Sequence, residues 1–328
     1  MTTMNDVAKL AGVSRGTVSN YINGVTIKAA SQESIRAAIA ELNYIPNTAA
    51  RQLKTSRSNL VVFIIPTTRT PLFAELTYKV QQELQERGFK MILCNSNNDI
   101  KEELEYIQMA KMQKAAGIIT MSYSDSLVHV SSDLPVVSIE KQITDMIPCI
   151  SSDNYQGGRI AAAQLHHSGA KKLLMVTRLT EKTKSNFGIR VKGFEDYCLE
   201  HQLQYHLFSV PVHEKEFYNR LDAFLRKEYA SNIAYDGIFT VADQYADFTE
   251  NVLRSLGMTT PDQVQIIGFD GGKMYPDQPR HISSIRQPVD EIATMCIEKL
   301  EGMLRGDDVS APSLTLLPVK FVQGQTTH

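Results

Sequence analysis

The apolar positions of this chain change period near residue 60, and the change divides it in two. Before it, Met4, Val7, Ala8 and Ala11 share one helical face, and Val18, Tyr21 and Ile22 share a second. Ile35, Ala38, Ile39 and Leu42 repeat at i, i+3, i+4 and i+7 on a third. Thr3 and Asp6 form a capping pair for the first helix and Gly12 ends it; Ser14 caps the second, Ser31 caps the third, and Pro46 stops the pattern. After residue 60, aliphatic runs at 60–65, 89–94, 117–121, 136–139, 173–177, 207–210, 237–241 and 264–269 alternate with amphipathic helices at 73–87, 101–114, 156–167, 189–200, 245–256 and 289–305. Strand, helix, strand at this rhythm predicts parallel sheets covered by helices on both faces.

Two helices hinged at Gly12 and closed by a third predict a helix-turn-helix head. In that arrangement the start of the second helix faces a DNA groove, which makes Ser14, Arg15, Gly16, Thr17, Ser19 and Asn20 the contact candidates. Arg15 suits a guanine edge and Asn20 an adenine edge, each good pair discriminating by about 1–3 kcal/mol, while Thr17 and Ser19 serve phosphates equally well. An ordinary small helical bundle is the bland alternative. Asn47 then opens a predicted helix ending near Lys54, about two turns and too short to stand alone in water. It carries Ala50, Arg51 and Leu53, and such a helix can fold on meeting DNA and a partner copy, with Leu53 wedged between base steps and Arg51 near phosphate. Its alternative is a plain linker helix, and 55–59 reads as a joint.

Charge sharpens this division. Across 328 residues, 34 basic and 36 acidic side chains give a net charge of −2. Residues 1–57 hold seven basic and three acidic side chains, a local +4, so the remainder carries −6 and only the head suits phosphates. The longest aliphatic run, 60–65, is too short to span a bilayer and the first residues lack the features of an export signal, so a cytoplasmic protein is expected. Cys94, Cys149, Cys198 and Cys296 lie far apart and read as reduced thiols; His166, His167, His201 and His206 have no partner at ligand spacing. Neither a metal site nor a cofactor is predicted. An enzyme is disfavoured, since no Gly-x-Gly-x-x-Gly follows the first strand and there is no nucleophile elbow or zinc-protease motif.

Parallel sheets place ligands beyond the carboxyl ends of their strands. Those positions are 67–73, 95–97, 122–123, Asp243 and Asp270, the last directly ending an apolar strand, where a carboxylate needs water or a bound donor.

The motifs Asn5-Asp-Val-Ala-Lys-Leu-Ala-Gly-Val-Ser14, Thr17-Val-Ser19, Leu42-Asn-Tyr-Ile-Pro-Asn47 and Ala50-Arg-Gln-Leu53 resemble the head and hinge helix of the LacI/GalR family. The resemblance covers essentially the whole chain. It implies a helix-turn-helix head over 1–46, a hinge helix and linker over 47–59, and a two-lobed, periplasmic-binding-protein-like effector and dimerisation domain over 60–328. It further implies a regulator, a repressor by expectation, that places two heads of a homodimer, or of a tetramer, on a palindromic operator, with Leu53 as the minor-groove leucine. Phe73 matches an aromatic near the effector, Asp153 an acidic residue between the lobes, and Arg190 and Asp270 the effector-contacting pair; Gln287 lies near a crossover. The bland alternatives are a core position at a helix start for Phe73, a helix cap for Asp153, a solvated helix-start charge for Arg190 and an N-cap for Asp243. Aromatic, carboxylate and guanidinium suit a sugar or sugar phosphate; a purine-like molecule or a partner phosphoprotein is the alternative. Two departures stand out: the usual Thr-Val-Ser-Arg ends in Asn20, and the common Asn-Asp after a strand becomes Ala242-Asp243, leaving Asp243 as the effector candidate there.

Overall fold

The computed structural model describes residues 2–22, 24–44, 58–121, 134–178, 185–210, 214–230, 234–307 and 313–328. The chain separates into two compact units, Met1–Ser58 and Asn59–His328.

The described residues of the first unit form three helices. In α1 (Met4–Leu10) the Thr3 hydroxyl accepts from the Asp6 N–H while the Asp6 carboxylate takes the Thr3 N–H at 2.8 Å, the reciprocal cap expected. Gly12, at φ +64°, reverses the chain where a side chain would be strained. Ser14 then accepts from the Thr17 N–H at 3.0 Å and starts α2 (Arg15–Ile22). The third helix differs from expectation: α3 (Ala29–Glu41) begins two residues ahead of Ser31, from Lys28, which makes no side-chain cap. Ala29 and Ala30 favour helix strongly enough to extend the turn backwards. Val7, Val18 and Ile35 are fully buried and meet Ala8, Ala38 and Tyr44 in a miniature core.

The second unit contains two six-stranded sheets. The first runs in the order β11-β5-β4-β3-β1-β2 and the second β12-β10-β9-β8-β6-β7. Their strands are β1 (Leu60–Ile65), β2 (Lys90–Asn95), β3 (Gly117–Thr120), β4 (Val136–Ile139), β5 (Cys149–Ser152), β6 (Lys172–Thr177), β7 (Gln204–Ser209), β8 (Gly237–Thr240), β9 (Gln265–Asp270), β10 (Ser283–Arg286), β11 (Leu314–Leu317) and β12 (Lys320–Val322). All pairings are parallel except β10 with β12, which is antiparallel. Helices α4 (Pro71–Glu86), α5 (Ile100–Met112) and α10 (Val289–Arg305) cover the first sheet; α6 (Asn154–His167), α7 (Asn186–Glu200), α8 (Glu214–Glu228) and α9 (Asp243–Ser255) cover the second. Each sheet thus builds its own apolar core.

The chain passes between the lobes three times: from β5 into α6, from β10 into α10, and from β11 into β12. The strand ends that carry the polar residues of the next section therefore converge where the lobes meet. The four cysteines are all buried free thiols, with burial pushing Cys149 up to about 12. No described helix is long and apolar enough to cross a membrane.

Candidate functional site

On the head, α2 turns Val18 inward and leaves Arg15, Gly16 and Asn20 exposed, with Thr17 and Ser19 half-buried. The Ser14 hydroxyl is occupied by its capping bond and by the Thr17 hydroxyl at 2.9 Å. The helix therefore presents a guanidinium, a carboxamide and a bare backbone patch along one side. Asn47, Ala50, Arg51 and Leu53 lie outside the described residues, as do Ser122 and Tyr123.

Between the lobes, the site is assembled around Arg190. Helices α6 and α7 cross at Gly158 and Gly193 so closely that a Cβ on either would stand 2.0 Å from a backbone oxygen of the other helix, Arg190 O and Tyr155 O respectively. This approach carries the Arg190 side chain, only 3% exposed, into the junction. There its Nε donates to Asn154 Oδ1 at 2.7 Å and its Nη1 to Val241 O at 2.6 Å, while the guanidinium lies 3.5 Å over the Phe269 ring. Two carboxylates flank it: Glu140 of the first lobe at 3.8 Å and Asp270 of the second at 4.0 Å.

Both carboxylates end apolar strands with a left-handed residue, Glu140 at φ +68° after β4 and Asp270 at φ +118° as the last residue of β9. Strain of this kind persists only where the surroundings enforce it. The enforcement is visible. Glu140 accepts from the Ser152 N–H at 2.7 Å, Asn154 Nδ2 at 3.0 Å and Asn186 Nδ2 at 2.5 Å. Asp270 Oδ1 accepts from Gln287 Nε2 at 2.7 Å, and Gln287 Oε1 in turn accepts from the Ser152 hydroxyl at 2.8 Å. Burial raises Asp270 to about 6, against the pull of Arg190. Asp243 is raised to about 8, by burial first and then by the charge of Asp270.

Two cavities open beside this cluster. The larger, about 810 Å³, lies on the Glu140 side and includes Lys141, Asp153, Tyr155 and Asn186. The smaller, about 350 Å³, lies on the Asp270 side between the first turn of α4 and 271–282. Across the same junction, Arg286 grips Glu75 of α4 with both terminal nitrogens, at 2.6 and 2.7 Å, and the Lys273 N–H donates to that carboxylate at 2.9 Å.

The structure brings Arg190, Asp270 and Gln287 together and puts other expected residues to different uses. Phe73 is packed in the first lobe's core, and Thr70, Pro71 and Leu72 line the smaller cavity in its place, because Thr70 caps α4 through the Phe73 N–H and turns the ring inward. Asp153 caps α6 by accepting from the Gln156 N–H at 2.9 Å. Asp243 follows the N-cap Ala242, and its carboxyl accepts from the Gly271 N–H at 2.8 Å and the Ser284 hydroxyl at 2.6 Å. Asn95 pairs with Asn97 at 3.2 Å and Ser96 with Glu103. Sequence reasoning missed Glu140, Asn154, Asn186, Glu75 and Arg286; for Glu140 the signal was the same as for Asp270, an acid directly after an apolar strand. Chemically the cluster offers carboxylate acceptors and amide and guanidinium donors at one junction. Among the described residues no group of three or more His, Cys, Asp or Glu is arranged to hold a metal ion.

Residues 3–47 match the family model for bacterial regulatory proteins of the lacI family, and residues 58–291 match that for periplasmic binding proteins and the sugar binding domain of the LacI family. A sucrose operon repressor of Pediococcus pentosaceus is 33% identical, over 98% of each chain. Among solved structures, a periplasmic binding protein/LacI transcriptional regulator from Alkaliphilus metalliredigens QYMF, complexed with D-xylulofuranose, superposes with a TM-score of 0.72 at 28% identity, covering 83% of this chain and 100% of that one. The lac repressor dimer bound to operator and the anti-inducer ONPF shares the fold, with a TM-score of 0.83 at 20% identity over 99% of each chain.

Proposed function

This chain belongs to the LacI family of bacterial regulatory proteins, and from that premise we propose that it is a sugar-responsive operon repressor acting in the cytoplasm as a homodimer. It is a DNA-binding transcription regulator and not an enzyme. Residues 1–46 serve as the reading head, 47–59 as the hinge and 60–328 as the sensor. Arg15, Thr17, Ser19 and Asn20 read the major groove, and Gly16 lets the backbone lie close to it. Two copies present two heads to an inverted repeat, and Leu53 of each enters the minor groove between them.

The observation that carries the sensing half is Arg190 held between Glu140 and Asp270, one carboxylate from each lobe. Vicinal hydroxyls of a sugar match such acceptors and donors in pairs. A molecule touching both lobes binds one lobe angle better than another, and that difference is what shifts a conformational equilibrium. Pro71 and Leu72 supply the apolar wall in place of Phe73. The names of relatives favour sucrose or a related furanose-containing sugar as the starting candidates.

The test begins with selection of duplexes from a random pool by the full-length protein. The expected consensus is two inverted half-sites, and sucrose, fructose or their phosphates should change the affinity for it. A consensus with a single half-site would overturn the dimer reading; a consensus whose affinity no sugar alters would overturn the sensing reading.

A further inference from the structure

The smaller cavity carries charge that a neutral sugar does not use. Arg69, Lys273 and Arg280 line it, and among the described residues none of the three makes an ion pair. Arg280 is the most constrained. Its Nη1 donates to Gly271 O at 2.8 Å, the same carbonyl that takes Arg286 Nη1 at 2.8 Å. Glu75 compensates Arg286, but Arg280 has no such carboxylate, and burial together with repulsion from Arg286 lowers its pKa, against a weaker pull from Asp243 and Glu75. A guanidinium partly withdrawn from water beside a second one is costly until an anion arrives.

The acids on the cavity wall do not fill that role. Asp243 is committed to Gly271 and Ser284, one oxygen to each, and burial holds its carboxyl well above the usual carboxylate range. Asp270 points its Oδ1 at Gln287 and faces Arg190. Asp247 is exposed and bonded to Asn251 on its own helix. His281 is taken by Glu250. The first turn of α4 forms part of the wall and adds the positive end of a 16-residue helix; Pro71 has no N–H and those of Phe73 and Ala74 are bonded to Thr70, so the turn contributes field more than free donors.

We propose that this cavity is the phosphate subsite of the sensor, so that the molecule detected is a phosphorylated sugar, its hydroxyls at Asp270 and its phosphomonoester at Arg280, Lys273 and Arg69. The assignment rests on the sugar reading above and narrows it to an anionic class. Arg280 supplies a planar fork matched to phosphate oxygens, and Lys273 and Arg69 supply charge at the rim.

Calorimetric titration of the full-length protein with matched pairs tests this: fructose and fructose 6-phosphate, glucose and glucose 6-phosphate, sucrose and sucrose 6-phosphate, with inorganic phosphate alone as a further probe. At least one phosphorylated sugar should bind about tenfold or more tightly than its parent, and the advantage should shrink as salt is added. Arg280→Gln should remove the advantage and leave DNA binding without effector intact. Arg69→Gln, at an exposed position, and Lys273→Gln should each reduce it, so a folding defect in the first variant leaves the test standing. A parent sugar that binds as tightly as its phosphate overturns the subsite while the sugar reading survives. Inorganic phosphate binding as tightly as the sugar phosphate also overturns it, and binding of neither class overturns both.

Discussion

Asp243 and Asp270 repel each other at the ends of neighbouring strands, and the proton that relieves this sets a pH dependence. Asp243 is raised to about 8 in the folded protein, far above the ordinary carboxyl value it regains on unfolding. The folded state therefore holds a proton that the unfolded state has released, so stability falls as pH rises from about 4 through 8. Asp243→Asn keeps an acceptor for the Gly271 N–H and removes the titration. Thermal melts at pH 6 and pH 9 should show a smaller loss of Tm for this variant than for the natural protein; equal losses would mean that Asp243 is ionised in the fold throughout. On the head, Asn20→Ala should weaken binding to the selected duplex by about 1–3 kcal/mol and leave random-sequence binding unchanged, as measured by competition. Equal loss on both would make Asn20 a phosphate contact. Single residues were legible where local pattern sufficed: Asp270 stood out by ending an apolar strand. Phe73 did not go where expected, since an aromatic after Pro71 and Leu72 fits a helix core as well as a cavity, and only the cap at Thr70 decides its direction.

At the scale of elements, the α6–α7 crossing fixes the site's position. Gly158 and Gly193 let the two backbones touch, and Arg190, Asn154 and Tyr155 ride on that contact. Gly158→Ala or Gly193→Ala must push the helices apart, because the obstructing atoms are backbone; overpacking of this kind costs about 1–3 kcal/mol or more. Chemical denaturation should report that loss, together with weakened sugar binding as Arg190 moves. Unchanged stability would show that the crossing is looser than it looks. Gly16 in α2 is the opposite case, since a Cβ there meets only Ser14 Oγ at 3.5 Å. Gly16→Ala should leave the head's stability equal or improved while lowering operator affinity, if the backbone lies against DNA as proposed. The strong aliphatic runs and the three head helices were readable from periodicity alone. Strands β5, β10, β11 and β12 and helix α8 were not. Cys149–Ser152 and Ser283–Arg286 contain a single aliphatic residue each, so their place in a sheet comes from neighbouring strands and not from their own pattern. The antiparallel β12 likewise depends on the third lobe crossing, which no local signal announces.

Over the whole molecule, three chain crossings between lobes restrict relative motion to hinge and shear about the junction. The groups that span the junction, Glu140 with Arg190 and Asn186, Glu75 with Arg286, and Gln287 with Ser152 and Asp270, must lengthen or exchange when the lobe angle changes. A ligand that replaces some of them shifts the balance between angles, and allosteric couplings of this type amount to about 1–3 kcal/mol. In the proposed mechanism, ligand occupancy at Asp270 is felt as a change in operator affinity. Fluorescence anisotropy with the selected duplex at an ionic strength of about 0.15 M, with and without the tightest-binding sugar or sugar phosphate, measures it most directly. The natural protein should change its Kd by roughly 5- to 150-fold, and Asp270→Asn, which keeps the side chain's size and removes its charge, should bind the duplex equally well and respond to neither. A variant that still responds at the natural ligand concentration, or a natural protein that prefers no duplex over random sequence, would contradict the account.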